Sequence, residues 1–248
     1  MRSNCLSFWF PILRSTGVNV PRTVFFDINH YDKNCEPALR KMFDMEELSD
    51  ADKKSLGGLI STVTMLAKKM GFPCFLRAGH TSYKHDWVNS CLLQNKEVIP
   101  AHIQNIAEFS IMADMMGGLP INVWAVREML ETKPLFTYFS GMPITKEMRF
   151  FFDDGKVICH HPYWPKEVFE DKKGPEWDEQ YKELSVLTDQ ELSDLTISTE
   201  IIAKKFEGFW SLDWLQVKSG KWYAIDMALG EKSYHYPSCK NEHYDEKV

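Results

Sequence analysis

The stretch Ser211-Leu-Asp-Trp-Leu-Gln-Val-Lys-Ser-Gly-Lys-Trp-Tyr-Ala-Ile-Asp226 places β-branched and aromatic residues on both sides of a central Ser219-Gly220. This pattern predicts a β-hairpin, because glycine takes the positive φ that short turns require. If Ser219 and Gly220 form a two-residue loop, the opposed pairs are Lys218–Lys221, Val217–Trp222, Leu215–Ala224 and Asp213–Asp226.

The pair Asp213–Asp226 predicts a metal site. Opposed Cβ atoms lie roughly 4.5–5.5 Å apart, and like charges placed so destabilise a sheet. A bound Mg²⁺ would remove that penalty, because Mg²⁺ is held by one or two carboxylates together with substrate phosphates. The segment alone leaves open the alternative of an exposed strand end at which both carboxylates are merely solvated.

The composition is that of a globular protein with one large domain or two small lobes. The chain has 248 residues, of which 44% are hydrophobic and 26% charged, and its net charge is −6. Because no long basic run is present, this charge argues against a nucleic-acid partner. No apolar stretch reaches the roughly 18–20 residues that span a membrane, and the start, broken by Pro11, does not resemble a signal peptide. We therefore expect a cytoplasmic protein without a membrane partner.

The cysteines and histidines show no recognised metal-site spacing. The six cysteines form no CxxC pair, and they are Cys5, Cys35, Cys74, Cys91, Cys159 and Cys239. The eight histidines lack the H-x-x-x-H and HExxH patterns,. These spacings suggest neither a zinc site nor a disulfide framework, and they predict free thiols in a reducing cytoplasm. The polar tail after Ser233 is expected to be loosely held.

Helical and strand patterns alternate along the chain. Helices are predicted over 38–48, 49–70, 100–116, 178–187 and 189–206, with Ser49 as an N-cap and with Gly71 and Gly117-Gly118 as helix ends. Strands are predicted over 72–77, 89–94 and 121–130, followed by a hairpin over 147–160 that turns at Asp153-Asp154-Gly155 and by the Asp213–Asp226 hairpin. This order predicts the α+β class in two lobes, residues 1–132 and 133–248.

Four separated pieces carry a family resemblance. They are Phe75-Leu-Arg77 with its polar loop to Lys84, Val123-Trp-Ala-Val-Arg-Glu-Met-Leu130, Lys146-Glu-Met-Arg-Phe-Phe-Phe152 and the Asp213/Asp226 hairpin. Their order resembles the ATP-grasp superfamily, and more closely its small divergent branch that includes cell division cycle protein 123 and many phage proteins. The resemblance covers most of the chain. It implies one ATP-grasp domain, in which the antiparallel sheets of two α+β lobes sandwich ATP, and a phage origin would place the protein in the host cytoplasm.

The resemblance assigns the first two pieces to the phosphates of ATP. Arg77 stands where the family contacts the α and β phosphates, and a guanidinium binds phosphate bidentately. The following loop resembles the family's mobile phosphate loop, and it supplies His80, Ser82 and Lys84. The residues themselves leave open a surface strand arginine and an ordinary exposed loop.

The resemblance also assigns Arg149 to catalysis. Arg149 and Glu147 are two residues apart and therefore share a face of their strand. A cation there would stabilise the charge that develops on a transferred phosphoryl group, with Lys84 as a second catalytic cation. The alternative is an ion pair between Glu147 and a cross-strand neighbour.

The segment Arg127-Glu128-Met129-Leu130 resembles the linker between the lobes that binds the base. In the family the adenine edge bonds to the linker backbone and a carboxylate takes the ribose hydroxyls, a role for which Glu128 and Glu131 are both candidates. A strand end with solvated charges is the alternative for either glutamate.

The family's metal-binding acids match Asp213 and Asp226. A third ligand, usually Asn, commonly stands two residues after the second acid, where this chain has Ala228. This departure predicts one Mg²⁺ held firmly between the two aspartates and a second held only weakly.

The resemblance implies an Mg-ATP-dependent ligase. A carboxylate of a small molecule or peptide would attack the γ-phosphate, and an amine or thiol would then displace phosphate from the acylphosphate. Ala228 favours a second hypothesis, an ATP-binding assembly or interaction factor with a protein partner and little turnover. Phosphotransfer to a small molecule is a third.

Overall fold

The computed structural model describes residues 2–114 and 119–241. Its helices are α1 Leu6–Ser15, α2 Cys35–Phe43, α3 Asp50–Met70, α4 Ile99–Asp114, α5 Pro175–Ser185 and α6 Asp189–Ala203. Its strands are β1 Thr23–Asp27, β2 Cys74–Ala78, β3 Leu92–Leu93, β4 Val123–Glu128, β5 Phe136–Tyr138, β6 Met142–Ile144, β7 Glu147–Asp153, β8 Lys156–Pro162, β9 Phe209–Gln216 and β10 Trp222–Leu229. The helix end predicted at Gly117-Gly118 lies outside the described residues.

The first sheet has the strand order β1-β4-β2-β3, and each neighbouring pair is antiparallel. Helices α2, α3 and α4 cover it and share one apolar core with it, in which Val63 and Ile106 accompany Leu76 and Trp124. All of these elements lie within residues 23–128, and the sheet pairs β1 at one end of that range with β4 at the other.

Helix α3 begins and ends where the sequence predicts. Ser49 accepts a hydrogen bond from the backbone N–H of Asp52, and the Asp52 carboxylate accepts one from the backbone N–H of Ser49. This reciprocal capping satisfies two backbone donors that the first turn leaves free. Gly71 follows the helix with a φ of 93°, a conformation that glycine adopts at little cost,.

The second sheet has the strand order β10-β9-β7-β8 and is also antiparallel throughout. Helix α6 packs on it, and so does α1, through Trp9 and Phe10. The same core reaches Ala125 of β4, so α1 lies where the two sheets approach each other. The α+β class with antiparallel sheets is confirmed. The lobe boundary after residue 132 stays a prediction, although the two sheets fall on either side of it.

The predicted hairpin over 147–160 is present as β7 and β8. Asp154 and Gly155 turn it with φ values of 43° and 86°, the positive pair typical of a tight hairpin turn,. A smaller hairpin, β5–β6, packs with Trp164, Phe169 and Trp177 in a third apolar cluster. None of the helices described combines the length and the apolar character that crossing a membrane requires.

Candidate functional site: a charged cavity between the two sheets

The predicted pairing of Asp213 with Asp226 is confirmed, but the hairpin reaches it by another route. Val217 and Lys221 close a three-residue loop, because the Val217 N–H donates to the Lys221 carbonyl over 2.9 Å. Strand β10 then bulges between Ala224 and Asp226. The extra loop residue shifts the register by one and the bulge shifts it back. The pairs predicted nearer the turn are therefore wrong, and the structure has Trp222–Gln216 and Ala224–Trp214 in their place.

Arg149 lies opposite Asp213 on the neighbouring strand and binds it with both ends of its guanidinium group. Nε donates to Oδ1 over 2.8 Å, and Nη2 donates to Oδ2 over 2.9 Å. Their side chains are 14% and 6% exposed. Burial by itself lowers the pKa of Arg149, but the charge and hydrogen bonds of Asp213 outweigh burial and raise the pKa. The guanidinium also lies 4.6 Å from the centre of the Tyr163 ring. Both oxygens of Asp213 are thus engaged.

Asp226 is more open than Asp213. Arg77 Nη1 donates to Asp226 Oδ1 over 2.9 Å, which joins the first sheet to the second. The Asp226 side chain is 40% exposed, and Oδ2 has no hydrogen-bond partner among residues 2–114 and 119–241. Burial alone would raise the pKa of the Asp226 carboxyl, but the charges of Arg77 and Arg127 outweigh burial and hold the pKa below its usual range.

Arg127 is a buried cation with spare donor capacity. Its Nε donates to Thr23 Oγ1 over 3.0 Å, and its Nη1 donates to the Ile225 carbonyl over 2.8 Å. Its Nη2 is buried and has no hydrogen-bond partner in the part of the chain that the structure describes. Burial, followed by the nearby charge of Arg77, lowers the pKa of Arg127 to about 9, so the side chain still carries its charge at neutral pH. A buried donor without a partner is uncommon in folded proteins, and a bound acceptor is one explanation for it.

Lys84 and Glu147 form a second connection between the sheets. Lys84 Nζ lies 3.3 Å from Glu147 Oε1 and 3.8 Å from the centre of the Tyr163 ring. Burial raises the pKa of Glu147 to about 7, and the nearby charge of Asp213 opposes the lowering effect of Lys84. Protonation removes the charge of Glu147, so its hold on Lys84 weakens as pH falls.

Five of these groups, Arg77, Lys84, Arg127, Glu147 and Asp226, line a cavity of about 410 Å³ between the two sheets, here called the intersheet cavity. Its polar lining consists of Arg77, Ser82, Lys84, Arg127, Glu128, Thr132, Thr145, Glu147 and Asp226. Its apolar lining consists of Pro21, Phe75, Trp87, Leu92, Met129, Leu130, Pro134, Met142, Pro143, Trp164, Leu215 and Ile225. A mostly apolar concave site with a few convergent charged groups is typical of small-molecule binding.

Most of the predicted site residues line this cavity, and four do not. Arg77, Ser82, Lys84, Arg127, Glu128, Met129, Leu130 and Asp226 line it. Arg149 and Asp213 are absent from the lining and form the ion pair described above. Glu131 points to solvent, with 78% of its side chain exposed in an ion pair with Lys218. His80 is also absent from the lining, and burial together with the charge of Arg77 lowers its pKa to about 4.

Gly79, at the start of the predicted phosphate loop, packs against α1 rather than opening toward the cavity. Its carbonyl accepts a hydrogen bond from the Leu6 N–H over 2.8 Å. A Cβ added at this position would lie 2.5 Å from Cys5 Sγ and 2.9 Å from Val123 Cβ. Glycine is required here for close packing between α1 and β2, which fixes the base of the loop.

Sequence reasoning missed the aromatic and aliphatic walls of the cavity. Trp87, Trp164 and Met142 come from segments without a motif, and Tyr163 lies beneath the two cations Lys84 and Arg149. The sequence stretch His160-His-Pro-Tyr-Trp164 directly follows the predicted hairpin. Its aromatic pair at the end of that hairpin was the available signal.

The cavity fits ATP with Mg²⁺ by the chemistry of its donors. Arg77, Lys84 and Arg127 are cations that suit phosphate oxygens, and Arg127 Nη2 has no partner in the part of the chain that the structure describes,. The open Oδ2 of Asp226 suits a hard divalent cation,. Asp213 is a less available ligand, because Arg149 already occupies both of its oxygens.

No protein-family model and no curated protein sequence matches the chain. Among solved structures, C-terminally truncated Cdc123 from Schizosaccharomyces pombe is similar with a TM-score of 0.54 and 12% identity, over 98% of this chain and 90% of that chain. A second similar structure is the biotin carboxylase domain of Hydrogenobacter thermophilus 2-oxoglutarate carboxylase in complex with MgADP, ADP and bicarbonate. Its TM-score is 0.53 and its sequence identity is 11%, over 95% of this chain and 41% of that chain.

A further similar structure is D-alanine–D-alanine ligase from Bacillus anthracis complexed with ATP, with a TM-score of 0.48 and 12% identity. The match covers 93% of this chain, which spans 57% of the ligase. Identities this low show a common fold and no more. The chain has a divergent ATP-grasp-like α+β fold.

Proposed function

We propose that the protein binds Mg-ATP in the intersheet cavity and uses it to join a carboxylate to an amine or a thiol. The carboxylate would belong to a small molecule or a peptide. The observation that carries the proposal is the convergence of three cations, Arg77, Lys84 and Arg127, on the lining of one cavity. Among the described residues, Arg127 Nη2 also has no hydrogen-bond partner. Leaving a charged donor buried without a partner is costly, and a phosphate oxygen is the acceptor that best removes that cost.

The charged and apolar lining residues suit different parts of the nucleotide. Met129 and Leu130 supply apolar surface for the base, and Glu128 offers a carboxylate for the ribose hydroxyls. Arg77 and Arg127 would hold phosphate oxygens, and Asp226 would hold Mg²⁺. When bound, Mg²⁺ supplies charge neutralisation on the phosphates.

In the proposed ligation, an oxygen of the substrate carboxylate attacks the γ-phosphorus and the bond to ADP breaks. The amine or thiol then attacks the acyl carbon, releases inorganic phosphate and loses a proton to solvent. We assign Lys84 and Arg149 to this chemistry, because Lys84 lines the cavity and Arg149 shares the face of the Tyr163 ring with it. They act by electrostatic stabilisation, so no covalent protein nucleophile is needed.

The binding step is tested by calorimetric titration of the full chain with Mg-ATP. Arg127→Met removes the spare donor, and we expect ATP affinity to fall about 10–100-fold, since a hydrogen bond to a charged group contributes about 1.5–3 kcal/mol. Arg40→Met is the matched control, because Arg40 lies on α2 in a partly exposed pair with Glu36. Equal affinity of Arg127→Met and wild type, with both folded by circular dichroism, would refute the proposed binding mode.

A second candidate function is an ATP-binding assembly factor with a protein partner and little turnover. Two observations favour it: Arg149 occupies both oxygens of Asp213, and Ala228 stands where a third metal ligand is expected. ADP release in the presence of carboxylate and amine mixtures separates the two functions. Release above the ATP-only rate supports the ligase, whereas tight Mg-ATP binding without any release supports the assembly factor.

A further inference from the structure

Four side chains from two segments that are far apart in sequence meet at the edge of the second sheet, outside the lining of the intersheet cavity. They are Cys159, His161, His235 and Cys239, and their potential ligand atoms all lie within 4.8 Å of one another. Each is partly buried. Their spacing, Cys-x-His and His-x-x-x-Cys, matches none of the patterns by which sequence analysis finds metal sites, so the expectation of scattered free thiols did not anticipate this cluster.

Strand β8 supplies the first two members. Cys159 and His161 are two residues apart and therefore point to the same face of the strand. Cys159 lies opposite Phe151 on β7, and His161 lies opposite Arg149. Strands β8 and β10 are the two edges of this sheet, so a segment that leaves β10 must cross the face of the sheet to reach Cys159 and His161.

Residues 233–241, here called the crossing segment, make that crossing. Ser233 Oγ lies 2.6 Å from Ser211 Oγ on β9. The His235 ring stacks on Phe151 of β7 with centroids 4.3 Å apart. Asn241 Nδ2 donates to a backbone carbonyl of β8 over 3.3 Å. The segment expected to be loosely held is therefore laid across three strands, and it delivers His235 and Cys239 to Cys159 and His161.

The donor set and its spacing fit zinc. Two ligands of one tetrahedral zinc, a sulfur at roughly 2.3 Å and a nitrogen at roughly 2.0 Å from the metal, stand roughly 3.5 Å apart. Cys159 Sγ and His235 Nε2 are 3.2 Å apart. Nε2 of His161 is buried and has no hydrogen-bond partner among the described residues, so its lone pair is available. Two sulfurs and two imidazoles suit Zn²⁺ and exclude the oxygen-seeking Mg²⁺ and Ca²⁺.

We propose that Cys159, His161, His235 and Cys239 bind one Zn²⁺ in a closed tetrahedral site. Because the protein would fill all four coordination positions, the metal has a structural role and no open position for catalysis. It fastens the crossing segment to the edge strand, one strand away from Arg149. This proposal is independent of nucleotide binding, since none of the four residues lines the intersheet cavity.

Zinc stoichiometry tests the site directly. The full chain, purified under reducing conditions and stripped with a chelator, is titrated with Zn²⁺, and bound metal is measured by atomic emission. We expect one zinc per chain, and loss of that zinc in Cys159→Ser and Cys239→Ser. His160→Gln is the control for His161→Gln. His160 directly precedes His161 on the strand, points to the other face of the sheet and stacks on Phe150. We expect only His161→Gln to lose the metal.

Cobalt substitution in the wild-type chain gives a readout that does not depend on whether a variant folds. Tetrahedral Co²⁺ bound by two thiolates produces intense visible bands and a thiolate-to-metal charge-transfer band. Limited proteolysis should also cut within 233–241 faster after zinc removal. The proposal is overturned if the reduced wild-type chain binds Zn²⁺ more weakly than about 1 μM, if Co²⁺ gives an octahedral spectrum, or if His160→Gln loses as much zinc as His161→Gln. A Cys159–Cys239 disulfide found by mass spectrometry, with no zinc uptake after reduction, would also overturn it.

Discussion

Replacement of Arg149 by Met tests how much the buried pair with Asp213 contributes to stability. Arg149 makes the two hydrogen bonds to the Asp213 carboxylate, at 2.8 and 2.9 Å, and the described residues offer that carboxylate no other donor. Only 4% of Asp213 is exposed. The substitution therefore leaves a charge that neither water nor protein solvates, which costs much more than the pair itself contributes.

The expected loss for Arg149→Met is about 3–5 kcal/mol of unfolding free energy, the range for removing one partner of a buried pair. Asp213→Leu should cost less, because Arg149 is 14% exposed and retains the face of the Tyr163 ring,. The double variant removes both charges and should cost less than Arg149→Met alone. Such a reversal is the mark of direct coupling between the two residues.

Urea unfolding followed by tryptophan fluorescence measures all four proteins of this cycle. With a slope of about 3 kcal/mol/M, Arg149→Met lowers the urea midpoint by about 1–1.7 M. The control cycle uses the pair Lys133–Glu183, in which Nζ and Oε1 are 3.5 Å apart. Their side chains are 75% and 59% exposed. Its coupling should be below about 1 kcal/mol. If the losses at Arg149 and Asp213 simply add, the paired geometry does not stabilise the fold and the reasoning fails.

Three further predictions concern the intersheet cavity. Burial raises the pKa of Glu147 from 4.5 to about 7. The contribution of Glu147 to stability is therefore full below pH 4.5 and is lost as pH rises to about 7,. Glu147→Gln should flatten this fall in unfolding free energy, which urea titrations at several pH values measure. Asp226→Asn should weaken Mg-ATP binding and its dependence on Mg²⁺ in calorimetry, and unchanged binding would count against Asp226 as a metal ligand. Glu128→Gln should weaken ATP binding and Glu131→Gln should not, because only Glu128 lines the cavity; equal losses would contradict the assignment of the ribose carboxylate.

The hairpins β7–β8 and β9–β10 were predictable from the sequence, because each carries its own turn chemistry. Asp154-Gly155 turns where the sequence predicts. The register of the last hairpin was predictable only in part. The predicted pairing of Asp213 with Asp226 is correct because the register shift caused by the longer loop is reversed by the bulge at Ile225. Neither feature has a local signal strong enough to read, since both depend on how β10 packs and twists.

Helix α1 shows a different limit. Leu6, Trp9, Phe10 and Leu13 have the spacing of an apolar helix face, and all four are buried in the second core,. Pro11 obscured this pattern, because proline in a helix interior normally breaks the helix. Here the proline is accommodated, and the buried aromatic face outweighs its cost. Tertiary packing decided the outcome, as it does for most short helices.

The zinc cluster was invisible for a third reason. Sequence rules for metal sites use ligands that are close along the chain. Here one half of the donor set lies on β8, the other half lies on the crossing segment, and the intervening residues form α5, α6 and two strands. The meeting of the two halves depends on β8 being an edge strand of the second sheet, and that is a property of the strand order.

The two aspartates that the sequence treats as equivalent differ in what they can bind. Asp226 is 40% exposed with one open oxygen, whereas a metal at Asp213 would first have to displace the bidentate Arg149. That exchange is favourable only if Arg149 gains another anion as it leaves, and a phosphoryl group in the cavity is the acceptor that the proposed function provides. Metal binding at Asp213 and phosphate binding at Arg149 are therefore expected to occur together. Mg²⁺ without nucleotide should occupy Asp226 alone.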